Sequence, residues 1–170
     1  MKIEKINQLH DKKNFDCGSA PLNNYLKNTS GQHEKKHLAR TFVLTDDSAP
    51  STIIGYYTLA LMTVEKSAFP NSLVKKLPDG NLHCTLLGRL AVDRNYQSNG
   101  YGGDLLIDAI LNSYKTSLTV PTPMLVVDAK DSLAKSFYEQ YGFVQFPELP
   151  LRLFLTMKDA HLLLSKFELI

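Results

Sequence analysis

The chain has 170 residues, with 44% hydrophobic and 21% charged side chains and a net charge of +2. That is the balance of an ordinary globular chain and excludes a disordered or fibrous one. It is long enough to bury a core without metal or disulfide staples, and its net charge alone makes no case for a polyanionic partner.

The N-terminus, MKIEKINQLHDKK, is polar and charged and carries no signal-peptide pattern. The longest apolar run, Thr52 to Val64, is too short to span a membrane and is rich in β-formers. These features predict a cytoplasmic, membrane-free protein of one domain over residues 1–170. Cys17 and Cys84 are far apart with no C-x-x-C pattern, which predicts two reduced, buried thiols.

In chain order, MKIEKI alternates as a short first strand does. Asp16 to Ser19 and Pro21 open a short amphipathic helix, with Leu22, Tyr25 and Leu26 at i, i+3 and i+4. Gly31 is expected to break it, and a second helix to run to about Leu38. ARTFVLT and TIIGYYTLALMTVE read as strands joined by the turn DDSAPS, an antiparallel hairpin. Residues 66–82 read as a loop with one turn around Leu73 to Leu77. CTLLGRLAVD is the next strand. A helix follows the glycine-rich RNYQSNGYGG, with Ile107, Ile110, Leu111 and Tyr114 on one face. MLVVDA suits a buried central strand. DSLAKSFYEQY is a helix capped by Asp131 and stopped at Gly142. FVQF and LRLFLTM are closing strands, and KDAHLLLSKFELI is a final helix. This order predicts an α/β (α+β) fold around a mixed central sheet.

HEKKH, residues 33–37, matches the H-E-x-x-H pattern of zinc peptidases. No third ligand follows, and the intervening residues are lysines whose charge disfavours a dication. The expectation is no metal and a solvated basic face. Lys12 and Lys13, then Lys35, Lys36, His37 and Arg40, form two basic clusters.

Gln97-Ser98-Asn99-Gly100-Tyr101-Gly102 lies between a strand and a helix and is followed by Gly103. Glycines there allow positive φ, and the first helical turn offers unpaired N–H groups to an anion such as a pyrophosphate. The spacing is Q-x-x-G-x-G, neither a Walker A nor a G-x-G-x-x-G loop.

LGRLAVDRNYQSNGYGGDLL followed by LVVDAKDSLAKSFYEQYGFVQF resembles the core of the GNAT N-acetyltransferase family over roughly Cys84 to Met157. FDCGSAPLNNYLK, ARTFVL, IIGYYTLA and PLRLFLTMK extend the resemblance to nearly the whole chain, toward the acetyltransferase toxins of type II toxin–antitoxin modules. The resemblance implies a single-domain GNAT fold with a mostly antiparallel sheet flanked by helices. It implies acetyl-CoA held by the N–H groups of Gln97, Ser98, Asn99, Gly100, Tyr101 and Gly102, with Gly103 beside them. Leu90, Ala91 and Val92 would pair with the pantetheine arm, and an N–H near Val92 would hold the oxyanion. Asp131, where the family often has asparagine, is carried as a further cofactor residue.

By the same resemblance Tyr138 faces the leaving thiolate as general acid, while Phe137 and Tyr141 pack. No clear general base emerges from the residues; Glu65 and Asp93 are the carboxylates considered. The implied reaction is acetylation of the α-amine of aminoacyl-tRNA, which blocks translation, with Lys35, Lys36, Arg40 and Arg89 as phosphate contacts. The implied partners are a ribbon-helix-helix antitoxin, operator DNA repressed by the pair, and a second copy of the chain. The alternative is the same fold acting on a small amine or a protein N-terminus.

Overall fold

The computed structural model describes residues 1–170. In chain order the elements are β1 (Lys2–Lys5), α1 (Ala20–Asn24), a π-helical segment (Tyr25–Thr29), α2 (Ser30–Lys35), β2 (Arg40–Thr45), β3 (Gly55–Glu65), α3 (Asn71–Val74), β4 (Asn81–Val92), α4 (Tyr101–Ser117), β5 (Met124–Asp128), α5 (Ser132–Glu139), β6 (Val144–Gln145), β7 (Arg152–Thr156) and α6 (Met157–Lys166). The strands follow one another in the sheet as β1-β2-β3-β4-β5-β7-β6. β4 and β5 pair in parallel. The β1–β2, β2–β3, β5–β7 and β6–β7 pairs are antiparallel. The α/β class with a mixed, mostly antiparallel sheet is therefore as the sequence reading expects.

The chain divides into two compact units, residues 1–60 with 88–109, and residues 61–87 with 110–170. In the first unit, Phe15, Tyr25, Leu26, Val43, Ile53, Tyr56 and Ala91 form one apolar cluster. Phe15 meets Tyr56 edge-on at 5.4 Å, and the buried Tyr56 hydroxyl donates to the Leu22 carbonyl at 2.7 Å. Buried hydroxyls need such a partner. Gly55 is required by close approach: a Cβ there would sit 2.7 Å from Leu105 Cδ1 and 2.8 Å from the Ala91 carbonyl. The start of α4 packs against bare backbone at that point.

In the second unit, Val64, Phe69, Leu82, Cys84, Met124, Val126, Phe146 and Phe154 form the core. Phe69, Phe146 and Phe154 make a triangle with ring centres 5.0 to 5.3 Å apart, within the range of favourable aromatic pairs. Met124 to Val127 are buried, which explains their uninterrupted apolar run. Both cysteines are free, but only Cys84 is buried, and burial pushes its thiol up to about 11; Cys17, expected to be buried too, is half-buried in the segment before α1.

Three expectations are corrected. Gly31 does not break the early helix; it sits inside α2, and the irregularity is the π-helical segment before it. There the Ser30 N–H donates to the Tyr25 carbonyl, and Tyr25 and Leu26 are both buried. The turn is wider than that of a regular helix and is the point at which the early helical stretch departs from the α pattern. β3 begins at Gly55 rather than Thr52, because Thr52 is held in a bridge with Asp11. β4 begins at Asn81 rather than Cys84, and the loop before it holds a 3-10 turn and the short α3.

Candidate active site

β4 ends at Val92, and Asp93 turns the chain. Asp93 is 5% exposed, and its two carboxylate oxygens accept from the Asp16 and Asn95 N–H groups, each at 2.9 Å. With both oxygens engaged by backbone, it anchors the turn and is a poor general base. Glu65, the other carboxylate considered, is exposed at the end of β3.

The glycine loop follows. Ser98 and Gly100 have φ of 65° and 85°. The Gly100 carbonyl accepts from the Gly103 and Asp104 N–H groups at 2.9 and 3.3 Å. Tyr101 and Gly102 open α4, where first-turn N–H groups lack intrahelical acceptors and carry the positive end of the helix dipole. A Cβ on Gly100 would meet nothing within 4 Å, so the approach to this turn is open. The donor set and the open space fit a diphosphate.

The side chains of Gln97 and Asn99 do other work. Gln97 Nε2 donates to the carbonyls of Val92 at 2.9 Å and Cys17 at 3.1 Å. Asn99 Nδ2 donates to the Tyr96 and Gln97 carbonyls at 3.0 and 3.1 Å. Both amides shape the loop from within, so any anion contact from these residues comes through backbone.

The parallel β4–β5 register covers Thr85 to Leu87 and ends before β4 does. Leu90, Ala91 and Val92 lie past it, with Ala91 buried and the other two half-buried. A strand stretch beyond its ladder can pair with an extended amide-bearing ligand.

Tyr138 lies on α5 in the second unit. Asp131 caps this helix, its Oδ1 accepting from the Ala134 N–H at 2.8 Å, and Gly142 with φ of 88° follows its end. Tyr138 is 8% exposed, more buried than its neighbours Phe137 and Tyr141. Its ring meets Phe137 at 5.3 Å and Phe143 at 5.7 Å. Burial pushes its pKa up to about 12, so the phenol stays protonated throughout the neutral range.

The histidine motif takes apart as a metal site. Tyr25 Oη and His33 Nδ1 share a 3.0 Å hydrogen bond. Glu34 accepts from Arg40 at 3.0 Å and from the Thr41 N–H at 2.6 Å. His37 lies beyond the end of α2 with φ of 56°, and its Nδ1 is 2.7 Å from an Arg40 nitrogen. The i, i+4 geometry a zinc helix needs is lost, and no group of three metal-ligating side chains occurs in the chain.

The same contacts divide the four predicted phosphate-binding residues. Lys35 and Lys36 are exposed. Arg40 is paired with Glu34, which reduces what it offers to an incoming anion. Arg89 lies over the Tyr25 ring with its Cζ 3.4 Å from the centroid. Sequence reasoning missed this stack, since nothing in either segment marks the other as its partner.

Comparison with known proteins gives the chain's family and fold. Residues 37–145 match the acetyltransferase (GNAT) domain family. The chain is 32% identical over 161 residues to a tRNA-acetylating toxin of Mycobacterium tuberculosis, covering 95% of each chain. Among solved structures, it is similar to AtaT complexed with acetyl-methionyl-tRNAfMet, at 32% identity, a TM-score of 0.88, and coverage of 95% of this chain and 98% of that one. It is also similar to a tyrosine-to-phenylalanine mutant of AtaT bound to acetyl-CoA and the C-terminus of the antitoxin AtaR. There the identity is 28%, the TM-score 0.80, and the coverage 96% and 97%.

Proposed function

The chain belongs to the GNAT acetyltransferase family, and we propose that it transfers acetyl from acetyl-CoA to the α-amine of aminoacyl-tRNA as a translation-blocking toxin. The observation that carries this reading is the extent of the likeness to a tRNA-acetylating toxin, 95% of both chains. It includes the N-terminal half, which an acetyltransferase acting on another amine need not share.

The first-turn N–H groups of Tyr101 and Gly102, with the open backbone of Ser98 to Gly100 and with Gly103 behind them, receive the diphosphate of acetyl-CoA. Leu90, Ala91 and Val92 pair with its pantetheine amides, and an N–H near Val92 holds the oxyanion. The neutral amine attacks the thioester carbonyl. A C–N bond forms and the C–S bond breaks. The departing thiolate takes the phenolic proton of Tyr138, and the proton released from the amine passes to water, from which the phenolate is reprotonated. An α-amine has a pKa of about 8, against about 10.4 for a lysine side chain, so a fraction is already neutral near pH 7. That suits a site whose buried carboxylate, Asp93, is engaged by backbone.

Lys35 and Lys36 supply charge toward the tRNA phosphates. The proposed partners are a ribbon-helix-helix antitoxin, operator DNA bound by the toxin–antitoxin pair, and a second copy of this chain, all in the cytoplasm. Supporting this is the resemblance to toxins of such modules, one of them seen with an antitoxin segment.

The test is to incubate the protein with acetyl-labelled acetyl-CoA and bulk tRNA, charged or deacylated. Label on charged tRNA alone, released with the amino acid on mild alkaline hydrolysis, is the expected result. Label appearing only on small amines or peptide N-termini would overturn the tRNA reading.

A further inference from the structure

One face of the Arg89 guanidinium is covered. Its Cζ lies 3.4 Å from the centre of the Tyr25 ring, well inside the roughly 6 Å reach of a cation–π contact. The ring is itself held. Tyr25 is 5% exposed, its hydroxyl is bonded to His33, and the two rings meet edge-on at 5.3 Å. Tyr25 also opens the π-helical segment, in which it and Leu26 are buried. Such turns occur often at functional sites.

The ion pairs of the structure engage Arg40 and Arg94 but give Arg89 no carboxylate. Stacking uses the face of the guanidinium and none of its five in-plane N–H donors. A half-buried cation with its face fixed and its edge unpaired by carboxylate suits a planar, bidentate anion contact, which a lysine does not reproduce. Arg89 also sits at the strand position before Leu90, on the same strand that leads into the glycine loop.

We propose that Tyr25, its ring braced edge-on by His33, is a positioning residue that holds Arg89 as an oriented contact for a backbone phosphate of the tRNA acceptor strand. This rests on the tRNA reading above. Lys35 and Lys36 supply diffuse attraction; Arg89 supplies the contact with a defined geometry. The role of the HEKKH segment is then to steady an aromatic platform through His33, and to hold the chain entering β2 through Glu34 and Arg40.

The test compares steady-state constants for charged tRNA in wild type, Tyr25→Leu, Tyr25→Phe, Arg89→Lys and Arg89→Ala, with Lys158→Ala as a surface control and thermal melts to confirm folding. Tyr25→Leu and Arg89→Lys are expected to raise the KM for charged tRNA roughly tenfold, with kcat at saturating tRNA near wild type. Tyr25→Phe, which keeps the ring, should stay within about threefold. Arg89→Ala should flatten the dependence of log KM on log salt by about 0.7, the value for one single-strand phosphate. A KM for tRNA unchanged in Tyr25→Leu, or a salt slope unchanged in Arg89→Ala, would overturn the proposal. So would a KM in Arg89→Lys equal to wild type. Should Tyr25→Leu fail to fold, Arg89→Lys and the salt slope decide alone. If wild type itself acetylates small amines but not charged tRNA, the tRNA reading fails first and the proposal with it.

Discussion

Gln97 Nε2 donates to the Val92 carbonyl at 2.9 Å, tying the first residue of the glycine loop to the last residue of β4. The same nitrogen donates to the Cys17 carbonyl at 3.1 Å. One amide thus holds the loop at the strand end and at the segment before α1. Gln97→Ala releases both carbonyls, and the expected result is a roughly tenfold rise in the KM for acetyl-CoA. Gln97→Glu places a carboxylate against two carbonyl oxygens and should do worse. Titration of CoA binding by calorimetry checks this; equal affinity in all three proteins would contradict it.

Tyr138 sets the expected pH dependence. Its folded pKa is raised by burial to about 12, from an ordinary value of about 10. The acid form therefore persists, and the rate should rise as the α-amine deprotonates without falling between about pH 9 and 10.5 through loss of this proton. The linked stability has a matching sign. A raised pKa gives stability that is full below about pH 10 and lost as pH rises through about 12, at most about 3 kcal/mol for this group. Rates and denaturant midpoints measured across that range test both statements.

The basic residues should separate by their partners. Lys35→Glu and Lys36→Glu each reverse an exposed charge, and the rate on charged tRNA should fall several-fold at low salt, with the gap closing as salt rises. Arg40→Glu instead breaks the Glu34 pair and leaves two carboxylates together. Its effect should register first as a lower melting temperature. A pure KM effect in Arg40→Glu with an unchanged melt would contradict this division.

Gly55→Ala tests the packing beneath the site. The added methyl would stand under 3 Å from both Leu105 Cδ1 and the Ala91 carbonyl. Backbone does not yield as a flexible side chain does, so a loss of about 1–3 kcal/mol is expected. Equilibrium unfolding in urea measures it, and an unchanged midpoint would show that α4 and β4 can part without loss.

The legible parts of the chain are those whose cause is local. Asp131 before α5 and Gly142 after it are cap and stop signals, and both stand where the sequence places them. The loop from Gln97 to Gly103 reads from its glycines, since positive φ and helix entry are written into single residues. The π-helical turn at Tyr25–Thr29 was not legible, because Gly31 offers a stronger local signal for a break than any residue does for a widened turn. Nor was the fate of Glu34, whose partners Arg40 and Thr41 come after the helix has ended. The stack of Arg89 on Tyr25 joins two segments far apart in sequence, and only the packing of β4 against the early helical stretch brings them together.

In the proposed reaction the Tyr138 hydroxyl protonates the leaving thiolate during acetyl transfer to charged tRNA. The most direct measurement is single-turnover transfer of labelled acetyl to charged tRNA by wild type and Tyr138→Phe, with acetyl-CoA affinity measured on both. The phenylalanine variant is expected to fold, to bind acetyl-CoA as wild type does, and to transfer about 10²- to 10³-fold more slowly. Transfer at the wild-type rate would contradict it and return Tyr138 to the role of a core aromatic.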